Sequence, residues 1–137
     1  MSIQEKVIHA LEEMGYKPTV DDDGDVMFRY QMKSLYVLGT QKDDCNFLVV
    51  ALPQFYEIDE GNEIKALTVC NKLTREMSLA KVFIDRTLQN VTAHYEFYFC
   101  DDDCLTSHLS NSLEIIGRVR FLFYQTLKEF DDLEDEK

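Results

Sequence analysis

Residues 45–52 read Cys45-Asn46-Phe47-Leu48-Val49-Val50-Ala51-Leu52, and Pro53 follows them. An apolar run this short, rich in β-branched side chains and closed by proline, is a strand and not a buried helix. Successive strand residues point to opposite faces, so an unbroken apolar run makes both faces apolar. That predicts a central strand covered on both sides. Pro53 is expected to end it, because proline cannot donate to a ladder.

Working outward toward the N-terminus, Leu35–Thr40 is the preceding strand, turned into this one by Gln41–Asp44. Before it, Val26, Phe28, Tyr30 and Met32 alternate with Met27, Arg29 and Gln31, which is the period of a half-buried strand. Lys33-Ser34 is expected to turn the chain between the two. Asp21-Asp22-Asp23-Gly24 is a turn, since Asp bonds its own backbone and Gly supplies a positive φ. A short strand is expected near Tyr16–Val20. Ser2 with Glu5 forms a capping box, and Ile3, Val7, Ile8, Leu11 and Met14 recur at helical spacing. These place a first helix over residues 3–14, stopped by Gly15 and Pro18.

Toward the C-terminus, Phe55-Tyr56-Glu57-Ile58 is a connection of unusual aromatic content. A second helix is expected over residues 60–76, with Ile64, Leu67, Cys70 or Asn71, and Leu73 or Thr74 inward. Strands follow at Ala80–Asp85 and Val91–Cys100. Leu105, Leu109, Leu113, Ile116, Phe123, Leu127 and Phe130 then step by three, four or their multiples, beside a second stripe of Ile115, Val119 and Leu122. A stripe this wide buries more than one surface, and the spacing predicts a long helix over residues 106–130. The acidic residues 131–137 are expected to fray as a flexible tail. The pattern is that of one α+β domain over residues 1–130: helix, four strands, helix, two strands, helix, with an antiparallel sheet packed by helices.

Composition narrows function by exclusion. A chain of 137 residues suits one domain, and 45 % hydrophobic residues suffice for a core without metal or disulfides. Lys and Arg number 14 against 26 Asp and Glu, for a net charge of -12. Such a surface repels phosphate backbones and anionic lipid heads, which argues against nucleic-acid and membrane-surface binding. No basic start and no apolar core of a signal peptide is visible near Met1, and no stretch approaches ~20 apolar residues. A cytoplasmic protein with reduced cysteines is the expectation.

The candidate chemistry is thin. The Asp-rich turn fails as a calcium loop: with Gly24 at the sixth position, ligands are needed at Thr19 and Tyr30. Cys100, Cys104 and His108 do not follow a usual zinc spacing. Cys104 near a helix start could be a reactive thiolate, but Asp101, Asp102 and Asp103 oppose that charge and read better as a helix cap. Ser107-His108 is no dyad, since helix neighbours point about 100° apart. No glycine-rich phosphate loop exists. Gly117 sits mid-helix, at about 1 kcal/mol less favourable than Ala; it is either inconsequential or marks close approach of a helix or the sheet. No catalytic residue, cofactor or metal is expected.

From the second helix onward the chain resembles the bacterial YbjN-type family of candidate sensory-transduction regulators. The segments that carry the resemblance are Val69-Cys70-Asn71-Lys72-Leu73-Thr74-Arg75-Glu76, Ala80-Lys81-Val82-Phe83-Ile84-Asp85, His94-Tyr95-Glu96-Phe97-Tyr98-Phe99 and Leu105-Thr106. Thr74 stands where the family pattern has a second Asn, and Arg86–Asn90 lacks the usual Asp-Gly. The resemblance implies a type III secretion chaperone-like fold, whose members are commonly homodimers that bind polypeptide.

The expected function is thus a non-enzymatic protein-binding or regulatory module, homodimeric, with a polypeptide as a further partner. The alternative is a small-ligand sensor or enzyme with a pocket lined by Phe55, Tyr56 and the Asn71 region. Asn71 is expected to be structural, bonding backbone at the helix–strand junction near Ser78–Leu79. The homodimer follows from the strands: three helices are too few to cover both apolar faces of a sheet of this size.

Overall fold

The structure is a computed structural model that describes residues 1–135. The elements follow the expected order: α1 (Ile3–Glu13), β1 (Thr19–Val20), β2 (Val26–Tyr30), β3 (Lys33–Leu38), β4 (Phe47–Glu57), α2 (Glu63–Glu76), β5 (Ala80–Ile84), β6 (Asn90–Tyr98) and α3 (Asp102–Asp135). The strands form one sheet in the order β1-β2-β3-β4-β6-β5, every pair antiparallel. The capping box opens α1 as read: the Glu5 N–H donates to Ser2 Oγ at 3.1 Å, and the Ser2 N–H donates to Glu5 Oε1 at 3.4 Å.

Several elements differ from the sequence reading. The β2–β3 turn is Gln31-Met32, not Lys33-Ser34, with φ of 47° and 67°. Two-residue hairpins favour positive φ at both positions because that matches strand twist; neither residue is the Gly or Asn that advertises it. The first strand is only Thr19–Val20. On α2 the buried stripe is Ala66, Val69, Cys70 and Leu73, whereas Ile64 and Leu67 are exposed. Helix α3 starts earlier and runs on through Asp135, so residues 131–135 of the expected tail are helical, and Asp131 pairs with Lys65 of α2. Residues 136 and 137 of that tail lie outside the described residues.

The largest difference concerns Pro53, which does not end β4. Tyr36 of β3 pairs with Ala51, so continuing the register sets Pro53 opposite Ser34. Proline has no N–H for that position, and the ladder with β3 stops there. On its other side β4 continues along β6 through Tyr56↔Val91 and Glu57↔Asn90, after a bulge between Leu52 and Tyr56. Within the bulge Gln54 takes φ 50°, and its N–H donates to Thr92 Oγ1 at 3.0 Å.

All three helices pack on one face of the sheet. That face presents Val26, Phe28, Leu35, Val37, Leu48, Val50, Tyr95 and Phe97, all buried. Val7 and Leu11 of α1, Val69 and Leu73 of α2, and Leu105, Leu109, Ile116 and Phe123 of α3 complete one core with them.

Candidate functional site

The registers place Met27, Tyr36, Leu38, Phe47, Val49 and Tyr98 together on the opposite face. Among the described residues no helix lies over them. The expectation that β4 is covered on both sides is therefore corrected: Leu48 and Val50 are fully buried, but Phe47 and Val49 are only half-buried. Tyr98 is 70 % exposed, its ring 4.9 Å from that of Phe47. The face also carries Arg29, Lys81, His94 and Glu96. Lys81 pairs with Glu96 at 2.7 Å, and Arg29 donates to Ser34 Oγ and to the Met32 carbonyl. With one carboxylate against two fixed cations, the face is close to neutral in a chain of net charge -12. Burial holds the His94 imidazole below its usual range, Glu96 pulling it up and Lys81 down.

At the edge formed by β5, Thr74 of α2 does the work that Asn71 was expected to do. Its hydroxyl accepts the Val82 N–H at 2.8 Å and donates to the Val82 carbonyl at 3.0 Å. Both outward peptide groups of Val82 are thus occupied on a strand that would otherwise invite pairing with another chain. Asn71 is exposed and, among the described residues, its side chain makes no hydrogen bond. It lies three residues before Thr74, about 60° off that face. The substitution of hydroxyl for amide at Thr74 carries this contact, a role that no periodicity signals.

Phe55 and Tyr56 sit on β4 just beyond the bulge and face α3. Phe55 meets Phe123 edge-on at 5.4 Å, and Tyr56 lies 4.8 Å from Phe123 and 5.6 Å from Tyr124. They dock the helix. Gly117 lies against the sheet: a Cβ there would fall 2.7 Å from Cε1 of Tyr30 on β2. The close approach that the mid-helix glycine suggested is an aromatic edge from the sheet. Among the described residues, Phe55 lines a cleft with β3 and Gly117 lines another, and Asn71 lines neither.

The remaining candidates are engaged in local contacts. Asp21 Oδ1 accepts the N–H groups of Asp23 and Asp25 at 3.0 and 2.9 Å, and Gln41 Nε2 donates to the Asp23 carbonyl. These are the bonds of an Asx turn. Asp101 caps α3 through the Cys104 N–H at 2.7 Å. All four cysteines are free thiols. Burial pushes Cys70 up to about 12, leaving it an inert thiol. Contact with Cys104 and then the charge of Asp101 raise Cys100. His108 is engaged by its surroundings: Nδ1 lies 2.7 Å from the buried Tyr95 hydroxyl, and its ring stacks on Phe97 at 4.6 Å.

With three helices on one face of a six-stranded antiparallel sheet, the described chain has a YbjN-like fold, the class that the sequence resemblance implied. Among solved structures the chain is similar to YbjN from E. coli, described as a candidate transcription regulator, with a TM-score of 0.67 and 9 % identity over 91 % of each chain. It is similar also to an uncharacterized protein from Methanothermobacter thermautotrophicus, with a TM-score of 0.59 and 12 % identity over 91 % of this chain and 99 % of that one. At these identities the likeness is one of fold. No family model matches the chain, and no curated protein matches it.

Proposed function

We propose that this chain is a non-enzymatic, cytoplasmic protein-binding module of regulatory type that works through the helix-free face of its sheet, and that its first partner there is a second copy of itself. The observation that carries the reading is the contiguous set Met27, Tyr36, Leu38, Phe47, Val49 and Tyr98 on a face that, among the described residues, no helix covers. Six strands at about 4.8 Å spacing make that face about 24 Å wide, a scale suited to a standard protein interface. Its near-neutral charge lets two copies meet there while the acid of the chain stays outside. Two-fold pairing is the commonest way to bury such a face. The likeness to YbjN, a candidate regulator, agrees with this reading. So does the net charge of -12, which favours regulation through protein contact over direct contact with nucleic acid. Among the described residues no helix is long and apolar enough to cross a membrane.

Light scattering at micromolar concentration tests it. A mass near twice 16.0 kDa is expected, falling to a single chain in Val49→Glu/Tyr98→Glu with an unchanged circular dichroism spectrum. A native mass near 16.0 kDa removes the self-pairing and leaves the face to a different protein.

A further inference from the structure

The ladder between β3 and β4 breaks at Pro53, and the sheet opens there. Where β3 and β4 part lies a cleft of about 440 Å³, lined by Lys33, Ser34, Tyr36, Leu52, Phe55 and Arg120 together with the turn residue Met32 and the bulge residues Pro53 and Gln54. The volume falls in the range of small-molecule sites. Its electrostatics set it apart. Two cations line it and no carboxylate does. Four other cavities of the described residues each carry at least one carboxylate: Glu76 and Glu129, Glu13 with Asp102 and Asp103, Glu114, and Glu134. Of these five cavities, in a chain of net charge -12, it is the one where positive charge stands without a carboxylate. Among the described residues neither Lys33 nor Arg120 forms an ion pair.

The polar and apolar parts are complementary in kind. Ser34 Oγ accepts from Arg29 Nη1 at 2.9 Å, which leaves its hydroxyl proton free to donate. Lys33, Arg120 and Ser34 thus offer donors to an anion. Tyr36 and Phe55 supply aromatic surface, and Leu52 an aliphatic floor. The bulge keeps the site open: Gln54 is held at φ 50° by Thr92 Oγ1, and its Nε2 is turned to Asp85 Oδ2 at 3.2 Å.

We propose that this cleft binds a small organic carboxylate with a flat apolar body, the carboxylate on Lys33, Arg120 and Ser34 and the body against the Tyr36, Leu52 and Phe55 side chains that line it. The cleft shares Tyr36 with the face proposed above for pairing, while Lys33, Phe55 and Arg120 are not among the residues named for that face. Phe55 is the one residue of the aromatic segment that takes part; Tyr56 and Asn71 do not.

The test uses the full chain and two probes of the same shape, 2-naphthoate and its neutral amide, followed by amide proton–nitrogen NMR titration. Shifts are expected at Lys33, Ser34, Gln54 and Arg120, with the carboxylate bound at least about 10-fold more tightly than the amide, a preference of the size that charge-assisted hydrogen bonds supply. Lys33→Gln/Arg120→Gln alters exposed or half-exposed side chains, so the fold should survive and the anion preference should vanish; an unchanged melting curve checks the first point. Equal binding of the two probes overturns the proposal. So does binding mapped to the Phe47–Tyr98 face, an anion preference that survives in the double variant, or no shift at low-millimolar 2-naphthoate.

Discussion

The two faces of the sheet are built from the same strands by alternate residues, and they end in opposite situations. On β4, Leu48 and Val50 are fully buried under the helices, while Phe47 and Val49, one residue away, are half-exposed. On β6, Tyr95 is buried and Tyr98 is 70 % exposed. Apolar character is common to both faces; what differs is whether the chain has a helix to lay on them. Three helices cover one face. Hydrophobic alternation states that a face seeks cover and leaves open whether the cover comes from the same chain.

The comparison breaks most sharply with a truncation on each face. Phe28→Ala removes a ring that is 1 % exposed on the covered face, and should lower stability by ~3–5 kcal/mol through lost burial and a residual cavity. Tyr98→Ala on the open face should change the folding free energy of the single chain by under ~1 kcal/mol, while weakening self-association. Urea unfolding at submicromolar protein measures the first effect free of the second. Equal losses for the two variants mean that Tyr98 is covered within the chain, and the distinction between the faces fails.

The edge at β5 sharpens the same contrast, because it is an edge the chain does cover. Thr74→Val keeps the shape of the side chain and removes both bonds to Val82. A loss of ~1–2 kcal/mol is expected, with a tendency to form higher-mass species as the edge becomes available. Asn71→Ala, exposed and unbonded, should stay within about 0.5 kcal/mol of the native chain. Melting and light scattering of the two variants side by side decide it; reversed magnitudes would return the structural role to Asn71.

Gly117→Ala sets a helix preference against a sheet contact. Alanine gains about 1 kcal/mol of helix propensity, but its Cβ meets the Tyr30 ring at 2.7 Å. Tyr30 is half-buried and packs on Tyr16 at 5.9 Å, so the ring gives way only by disturbing that pair. A net loss of ~1 kcal/mol is expected, reversed when Tyr30→Ser is added. A higher melting midpoint for the single variant means that the ring swings aside freely.

What could be read in advance follows from the range of the forces involved. The capping box at Ser2 and Glu5, the long stripe of α3 and the alternation of β2 as far as Tyr30 are local patterns that appear where their residues placed them, while Met32, read into that alternation, lies in the turn. The hairpin turn at Gln31-Met32 was missed because neither residue is among those that favour positive φ. Pro53 carries a true signal that was applied to the wrong neighbour: the missing N–H ends pairing to β3, and the partner on the other side, β6, is distant in sequence. The cleft at Lys33 and Arg120 was illegible for the same reason, since its parts come from β3, β4 and α3 and meet only once that pairing fails. Of the residues singled out beforehand, Gly117 signalled a real contact, and Phe55 and Tyr56 a real aromatic cluster. Thr74 stood out only as a departure from a family pattern.

The smallest effect separates the faces by pH. His94 lies on the open face, its ring edge-on to Phe83 at 4.9 Å, with Lys81 and Glu96 as charged neighbours. Burial among these groups lowers its pKa from the ordinary imidazole value near 6.5. The unfolded chain therefore takes up the proton at higher pH than the folded one. Stability from this residue is fully present above about pH 6.5 and is lost as pH falls from there toward the lowered folded value. In His94→Gln that component is absent. Urea midpoints at pH 7.5 and at pH 5.5 should fall more for the native chain than for the variant, and the difference between the two drops isolates His94 from the many carboxylates. If two copies pair through this face, further burial holds the imidazole lower still, and acid should also drive the native mass toward a single chain. Identical drops for the two proteins mean that His94 is solvated in the folded chain, and that the face around it is more open than the Phe83 contact implies.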